Sequence, residues 1–198
     1  MKEQYNKLAK KHGNDVKALH WPSVERQEAP FQAFMRHVDF QDSSVMDIGC
    51  GFGDFFQFMK RHNIDIKYYG FDISEKLIDM GKSKYPEVAN RLQVLDATNA
   101  TLPQTDYAVI SGTFNLKTTD NWALITKTVA NCFKSVNKAV LFNLISTYVD
   151  FQEPHLSYIA PEKIFAYAKT LSPFVDIINN YNPYEYMVAI FKESRNNQ

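Results

Sequence analysis

The stretch best equipped for chemistry is SSVMDIGCGFGDFF, residues 43–56, in which Asp47 is followed at alternate positions by Gly49, Gly51 and Gly53. Glycines spaced this way let the backbone turn tightly and let a ligand approach where a Cβ would collide. The helical pattern that begins near Gly53 aims unpaired N–H groups at the same crevice. Two large nucleotide-cofactor classes use a loop of this kind. A dinucleotide loop reads G-x-G-x-x-G, but the position three after Gly51 is Asp54, so the final glycine is missing and a carboxylate stands where a pyrophosphate would sit. Asp47 suits instead a ligand that carries positive charge or amino groups. Asp72, 19 residues after Gly53, closes the run IKYYGFDI, and a carboxylate there can accept both hydroxyls of a ribose. Asp96, 24 residues further on in RLQVLDA, can accept from the exocyclic amine of adenine while Ala97 offers its N–H to a ring nitrogen.

For three acids to share one crevice they must end neighbouring parallel strands, and the pattern of the chain supplies such strands. From residue 44, apolar or β-branched runs alternate with helical patterns: VMDIG then GDFFQFMKRH, IKYYGFDI then SEKLIDMGKSKY, RLQVLDA, DYAVISG then NWALITKTVANCFKSV, and KAVLFNLIS then PEKIFAYAKTL. That alternation predicts βαβ units and a parallel sheet with both faces covered. VDIINNYNPYEYMVAIFK predicts two strands around a turn at Tyr181 to Tyr184, antiparallel to each other, so that one of them opposes the parallel sheet. Residues 1–43 read as two helices, 3–12 and 23–40, with Ser23 as the cap of the second. The expected organisation is an N-terminal helical lid or substrate-binding segment over 1–43, a doubly wound core with a seven-stranded, mostly parallel sheet over 44–192, and a frayed polar tail over 193–198.

These motifs resemble those of the class I S-adenosylmethionine-dependent methyltransferases. The acid followed by x-G-x-G-x-G is matched by DIGCGFG (47–53), the acid closing the next strand by Asp72, and the acid near the end of the strand after that by Asp96. The resemblance extends over the order of elements from 44 to 192. SGTFN (111–115), LISTYVD (144–150) and WPSVERQ (21–27) are similar to segments of a bacterial subset of small methyltransferases, a likeness that carries no substrate. It implies a Rossmann-like fold and S-adenosylmethionine as cofactor, bound by Asp47, Gly49, Cys50, Gly51, Gly53, Asp72, Ile73, Asp96, Ala97 and Ser111. Arg26 is a candidate for the cofactor's carboxylate, as N-terminal residues are in some members. The aromatic-proline signature of enzymes that methylate planar amino groups is absent after the fourth strand, where SGTFN stands, so exocyclic amines are disfavoured as acceptors.

Trp21, Phe114, Asn115 and Tyr148 are the expected wall of an acceptor pocket. Trp21 and Tyr5 either close over the crevice or anchor the first helices. His155, in the loop DFQEPHLSYI, is the candidate general base. Cys50 reads as an inert thiol in a close-packed loop, Asp54 as a favourable charge in a helix's first turn, and Asn143 as a buried amide satisfied by its neighbours.

Composition narrows the function. Lysine plus arginine equals aspartate plus glutamate at 22 each in 198 residues, so the broad basic face of a nucleic-acid binder is not expected. With 15 Phe, 11 Tyr and 2 Trp the chain can line a pocket with aromatics. Its two cysteines, Cys50 and Cys132, form neither a disulfide framework nor a zinc cluster, and no metal site is expected. MKEQYNKLAKKHG lacks an apolar signal region and no run approaches the roughly 18 apolar residues of a membrane span, which points to a cytoplasmic monomer or homodimer. The expected reaction is methyl transfer to a small molecule. Alternatives are a protein or RNA methyltransferase and a nucleotide-binding protein with no methyl transfer.

Overall fold

The apolar run before the glycine loop becomes β1 (Ser43–Ile48), buried almost throughout, and it sets the direction of everything around it. The structure is a computed structural model that describes residues 2–194. The chain divides into two compact units, one up to Asp96 and one from Ala97.

In the first unit α1 (Lys2–His12), a 3-10 turn (Val16–Leu19) and α2 (Val24–His37) precede β1. After the glycine loop come α3 (Asp54–Arg61), β2 (Ile66–Asp72), α4 (Glu75–Lys84), a second 3-10 turn (Pro86–Arg91) and β3 (Leu92–Val94). The three strands are parallel, β2 in the middle, with Asp47 level with Gly70 and Gly70 level with Leu92. Ser23 caps α2 by accepting from the Arg26 N–H, as its place before the apolar period predicts. That helix ends at His37, three residues short of the expected Phe40. Its apolar face is held by aromatic edges: Phe31 meets the rings of Phe55 and Phe58 at 5.2 and 5.6 Å, and Phe40 meets Phe55 at 5.8 Å. Burying each such ring is worth about 1.5–3 kcal/mol, which fixes α2 and α3 together beside the loop.

In the second unit β4 (Thr105–Ile110) is followed by α5 (Asn121–Lys134), β5 (Val136–Ser146), β6 (Tyr158–Ile159), α6 (Pro161–Leu171), β7 (Val175–Ile178) and β8 (Glu185–Phe191). Strands β4, β5 and β6 are parallel; β8 runs antiparallel to β5 and to β7. The predicted final hairpin is therefore present, and β8 is the strand that opposes the parallel direction. Its core is the middle of β5, where Val140, Leu141 and Phe142 are wholly buried beside Ile190, Ala189 and Val188 of β8. Pro161 opens α6 after Ala160, which offers no side-chain cap.

The described residues hold eight strands where seven were expected. The extra one is β6, too short at two residues to leave a periodic signal. The third strand is shorter than RLQVLDA implied, because Arg91 belongs to the preceding 3-10 turn and the ladder with β2 ends at Val94, opposite Asp72. Part of the predicted frayed tail, residues 195–198, lies outside the described residues. Among the described residues no helix is long and apolar enough to cross a membrane.

Candidate functional site

Each glycine of the loop lies in the left-handed region, with φ of 72° at Gly49, 55° at Gly51 and 90° at Gly53. A side chain at any of the three would be strained, so the run of glycines is a requirement of the turn. The loop is sewn to the end of β2: Gly49 N–H and Cys50 N–H both donate to the Phe71 carbonyl, at 2.7 and 3.1 Å. One residue later, the Asp72 carboxylate accepts from Gly51 N–H at 3.1 Å on Oδ2 and from Ser74 N–H at 2.8 Å on Oδ1. Asp72 thus ties the glycine loop to the start of α4, where Ser74 also caps the helix. Burial raises the Asp72 carboxyl above its ordinary range, and the N–H groups of Ser74, Gly51 and Ile73 oppose that rise.

Asp47 is 4% exposed and accepts a 2.7 Å hydrogen bond from the Tyr68 hydroxyl. Desolvation raises its carboxyl to about 7; the charges of Asp72 and Asp54 push the same way, while Tyr68 favours the ionised form. Cys50 is buried between these acids. Burial, then the charges of Asp47 and Asp72, hold its thiol well above the ordinary value, which fits the inert role expected of it.

Asp54 departs from its expected role as a mere first-turn charge. It is buried and accepts from Gln27 Nε2 at 3.0 Å, Lys84 Nζ at 2.8 Å and Tyr85 Oη at 2.7 Å. The carboxylate therefore joins α2, α3 and the end of α4. Nothing local in the sequence announces this, because its donors lie 27, 30 and 31 residues away.

The N-terminal segment lies directly on the loop. A Cβ at Gly51 would come within 2.8 Å of Leu19 Cδ2, so that glycine's bare backbone is met by the chain's own leucine. Ala9, Ala18, Phe52 and Leu77 form one buried cluster with Tyr5, Leu19, Met80 and Tyr85 packed against it. Ser74 Oγ donates to Asn6 Oδ1 at 2.9 Å, and the Tyr5 phenol is raised by burial and by the nearby charge of Asp72. Trp21 is partly exposed in the loop before α2, Arg26 is exposed in that helix's first turn, and Ile73 is partly buried beside Asp72. Asp96 is exposed two residues beyond β3.

In the second unit Ala97 is buried and its carbonyl accepts from Asn131 Nδ2 at 2.9 Å. Ser111 Oγ and Asn115 Oδ1 are buried polar atoms with no hydrogen-bond partner among the described residues. Phe114 is buried, its ring edge-on to Phe142 at 6.1 Å. Tyr148 is exposed and donates to Glu162 Oε1 at 2.6 Å. His155 is exposed, and its backbone carbonyl accepts from Lys117 N–H at 2.9 Å. Asn143 is fully buried and satisfied as expected: Oδ1 accepts from Gly112 N–H, and Nδ2 donates to Glu185 Oε2. Among the described residues no group of three or more His, Cys, Asp or Glu side chains is placed to hold a metal ion.

Sequence reasoning missed Tyr68, Asn6 and Leu19. Only Tyr68 leaves a trace, as a large residue two before a glycine inside a strand.

Residues 23–168 match the family described as methyltransferase domain. The candidate methyltransferase Rv1506c of Mycobacterium tuberculosis is 28% identical over an alignment of 168 positions that covers 81% of this chain and 100% of that one. Magnesium protoporphyrin IX methyltransferase of Synechocystis PCC 6803, solved with bound SAH, has a TM-score of 0.67 at 12% identity and covers 96% of this chain and 94% of its own. An S-adenosylmethionine-dependent methyltransferase of Clostridium acetobutylicum has a TM-score of 0.66 at 14% identity, covering 96% and 99%. At such identities the likeness is one of fold, and it establishes the Rossmann-like α/β architecture with its C-terminal antiparallel strands.

Proposed function

This chain belongs to the methyltransferase-domain family, and from that premise we propose that it moves a methyl group from S-adenosylmethionine to a small-molecule acceptor. One observation carries the donor: Asp72 is held by backbone N–H groups, Gly51 on Oδ2 and Ser74 on Oδ1 with Ile73 beside them, and a carboxylate's four lone-pair sites leave room for a ribose diol. An acceptor-only carboxylate at the end of β2, above glycines in the left-handed region, fits a nucleoside. Asp47 fits its cationic methionine end. The names of the structural relatives support the reading, as does a chain without net charge.

Bound S-adenosylmethionine supplies a methyl carbon on a sulfonium, open to in-line displacement by an acceptor lone pair. The chain supplies position and dryness. Asp72 accepts the ribose hydroxyls, Asp47 faces the amino group, and the backbones of Gly49, Cys50 and Gly51 permit close approach. Ile73, Asp96 and Ala97 serve the adenosine end, and Arg26 the carboxylate. In the second unit we assign the acceptor side to Ser111, Phe114, Asn115 and Tyr148, with His155 taking the proton from acceptors that hold one at neutral pH. Trp21 of the first unit we assign to the acceptor as well. Residues 1–43 act as a lid: Leu19 covers Gly51, Asn6 bonds Ser74 beside Asp72, and the first 22 residues precede the family match. Orientation and exclusion of water of this kind can lower a barrier by up to about 7–11 kcal/mol.

Calorimetric titration of the intact chain with S-adenosylmethionine and with NAD tests the reading. Saturable binding of the first and not the second is expected. Binding of NAD alone would overturn it.

A further inference from the structure

The strand IKYYGFD contains a glycine at Gly70 that no turn or bulge calls for, since the parallel ladder with β1 runs through it without a shift and the one with β3 begins at it. Its surroundings give the reason. A Cβ at Gly70 would lie 2.6 Å from Leu92 Cδ2, 2.9 Å from the Tyr68 hydroxyl and 3.0 Å from Cys50 Sγ. Tyr68 and Gly70 share one face of β2, being two residues apart. The phenol of Tyr68 lies along the strand over Gly70, and its hydroxyl comes out beneath the glycine loop, 3.7 Å from where a Cβ of Gly53 would be. There it donates to Asp47 Oδ2 at 2.7 Å, and both residues are shut off from solvent. Phe56 of α3 closes the other side of the ring, with centroids 5.5 Å apart.

We infer that Tyr68 is a positioning residue for the donor site, a phenolic strut that holds the Asp47 carboxylate in place and in its ionised form for the cationic end of the donor. The inference rests on the donor reading above and deepens it. A buried carboxylate facing a cation must be charged to be useful, and burial works against that charge. The groups facing Asp47 are Tyr68 and Asp72 of β2, Cys50 of the loop and Asp54 of α3. The two acids oppose its ionisation, and Asp54 is itself engaged by Lys84, Gln27 and Tyr85. Among the described residues, the Tyr68 hydrogen bond is the interaction that favours the Asp47 anion. Removing the hydroxyl therefore raises the pH at which Asp47 ionises, and with it the pH at which a cationic ligand is held.

The experiment compares two probes in the intact chain, S-adenosylhomocysteine and 5′-methylthioadenosine, which lacks the amino-acid tail. Calorimetric affinities are measured from pH 6 to 8.5 for the unaltered chain and for Tyr68→Phe. In the unaltered chain the affinity for S-adenosylhomocysteine should fall as pH drops through about 7. In Tyr68→Phe it should be weaker by roughly tenfold at pH 7.5, as loss of a hydrogen bond to a charged group implies. The midpoint should also move to higher pH, while the affinity for methylthioadenosine stays within about twofold. Equal losses for both probes would show a merely structural residue and overturn the inference, and so would an unchanged profile. Should Tyr68→Phe fail to fold, Asp47→Asn and Asp47→Asn/Tyr68→Phe are compared, since neither buries an unmatched charge. Equal affinity for S-adenosylhomocysteine in that pair supports action through Asp47, and a further tenfold loss refutes it. If the unaltered chain binds neither probe, it is the donor reading that fails.

Discussion

At the scale of single residues, the two acids of the loop trade stability against binding in opposite ways. The sequence suggests Asp72 as a ribose ligand. The structure adds that its carboxylate satisfies Gly51 N–H and Ser74 N–H in a buried place, so Asp72→Ala orphans two donors. Donor affinity should fall at least tenfold and unfolding free energy by about 1–3 kcal/mol, measured by calorimetry and urea titration. Unchanged affinity would remove its ribose role. Asp47 behaves in the reverse sense. Its folded-state carboxyl is raised from near 3.8 to about 7, so between those values the folded chain holds a proton that the unfolded chain has released. Its contribution to stability is thus full below about 3.8, declines as pH rises, and is lost above about 7. Asp47→Asn removes that slope: at pH 8 the variant should melt at least 2–4 °C above the unaltered chain, and at pH 4 it should gain nothing. A gain that is the same at both pH values would contradict the raised carboxyl.

At the scale of elements, the lid proposed for the segment from α1 to the first 3-10 turn has a consequence that can be measured. Leu19 fills the space over Gly51, and Asn6 accepts from Ser74 beside Asp72, so this segment lies on surfaces assigned to the donor. A cover that must lift predicts a kinetic signature. Leu19→Ala loosens it, and in stopped-flow tryptophan fluorescence both association and dissociation of S-adenosylhomocysteine should quicken several-fold. Stability should fall by about 1–2 kcal/mol, less than for a fully buried leucine, because Leu19 is only partly buried. Unaltered rates with a lower melting temperature would make the segment a static anchor. Much of the element level was legible beforehand: β1, β2, α5, the final antiparallel pair and the Ser23 cap follow from period, turn residues and capping chemistry, which act within a few residues. What was not legible arises from contacts across dozens of positions. Asp54 read as a local charge because Gln27, Lys84 and Tyr85 are distant in sequence, and Tyr68 left no more than the trace of a large residue before a strand glycine because its partner Asp47 lies 21 residues back. The two-residue β6 and the 3-10 turns are shorter than the periods by which elements are read.

At the scale of the whole molecule, charge separates the acceptor classes that the fold leaves open. Cationic and anionic side chains balance at 22 each, so the chain as a whole exerts little long-range pull on a polyanion. An enzyme that neutralised several phosphates of an RNA would release as many counterions, and its apparent affinity would fall by orders of magnitude between 50 and 200 mM salt. A small acceptor recognised at short range is nearly indifferent to that change, because charges more than about 8–10 Å apart are already screened. Incubating the enzyme with methyl-labelled S-adenosylmethionine and a whole-cell extract, then separating small molecules, RNA and protein, should place label in the small-molecule fraction. The kcat/KM for the acceptor found there should change by less than about twofold over that salt range. Within the same assay His155→Ala should lower turnover while leaving donor affinity intact if the acceptor carries a proton at neutral pH. Retained turnover would take His155 out of the chemistry, leaving an acceptor already deprotonated at that pH. Label in the RNA fraction with a steep salt dependence would overturn the small-molecule assignment and require a basic surface that the overall charge does not announce.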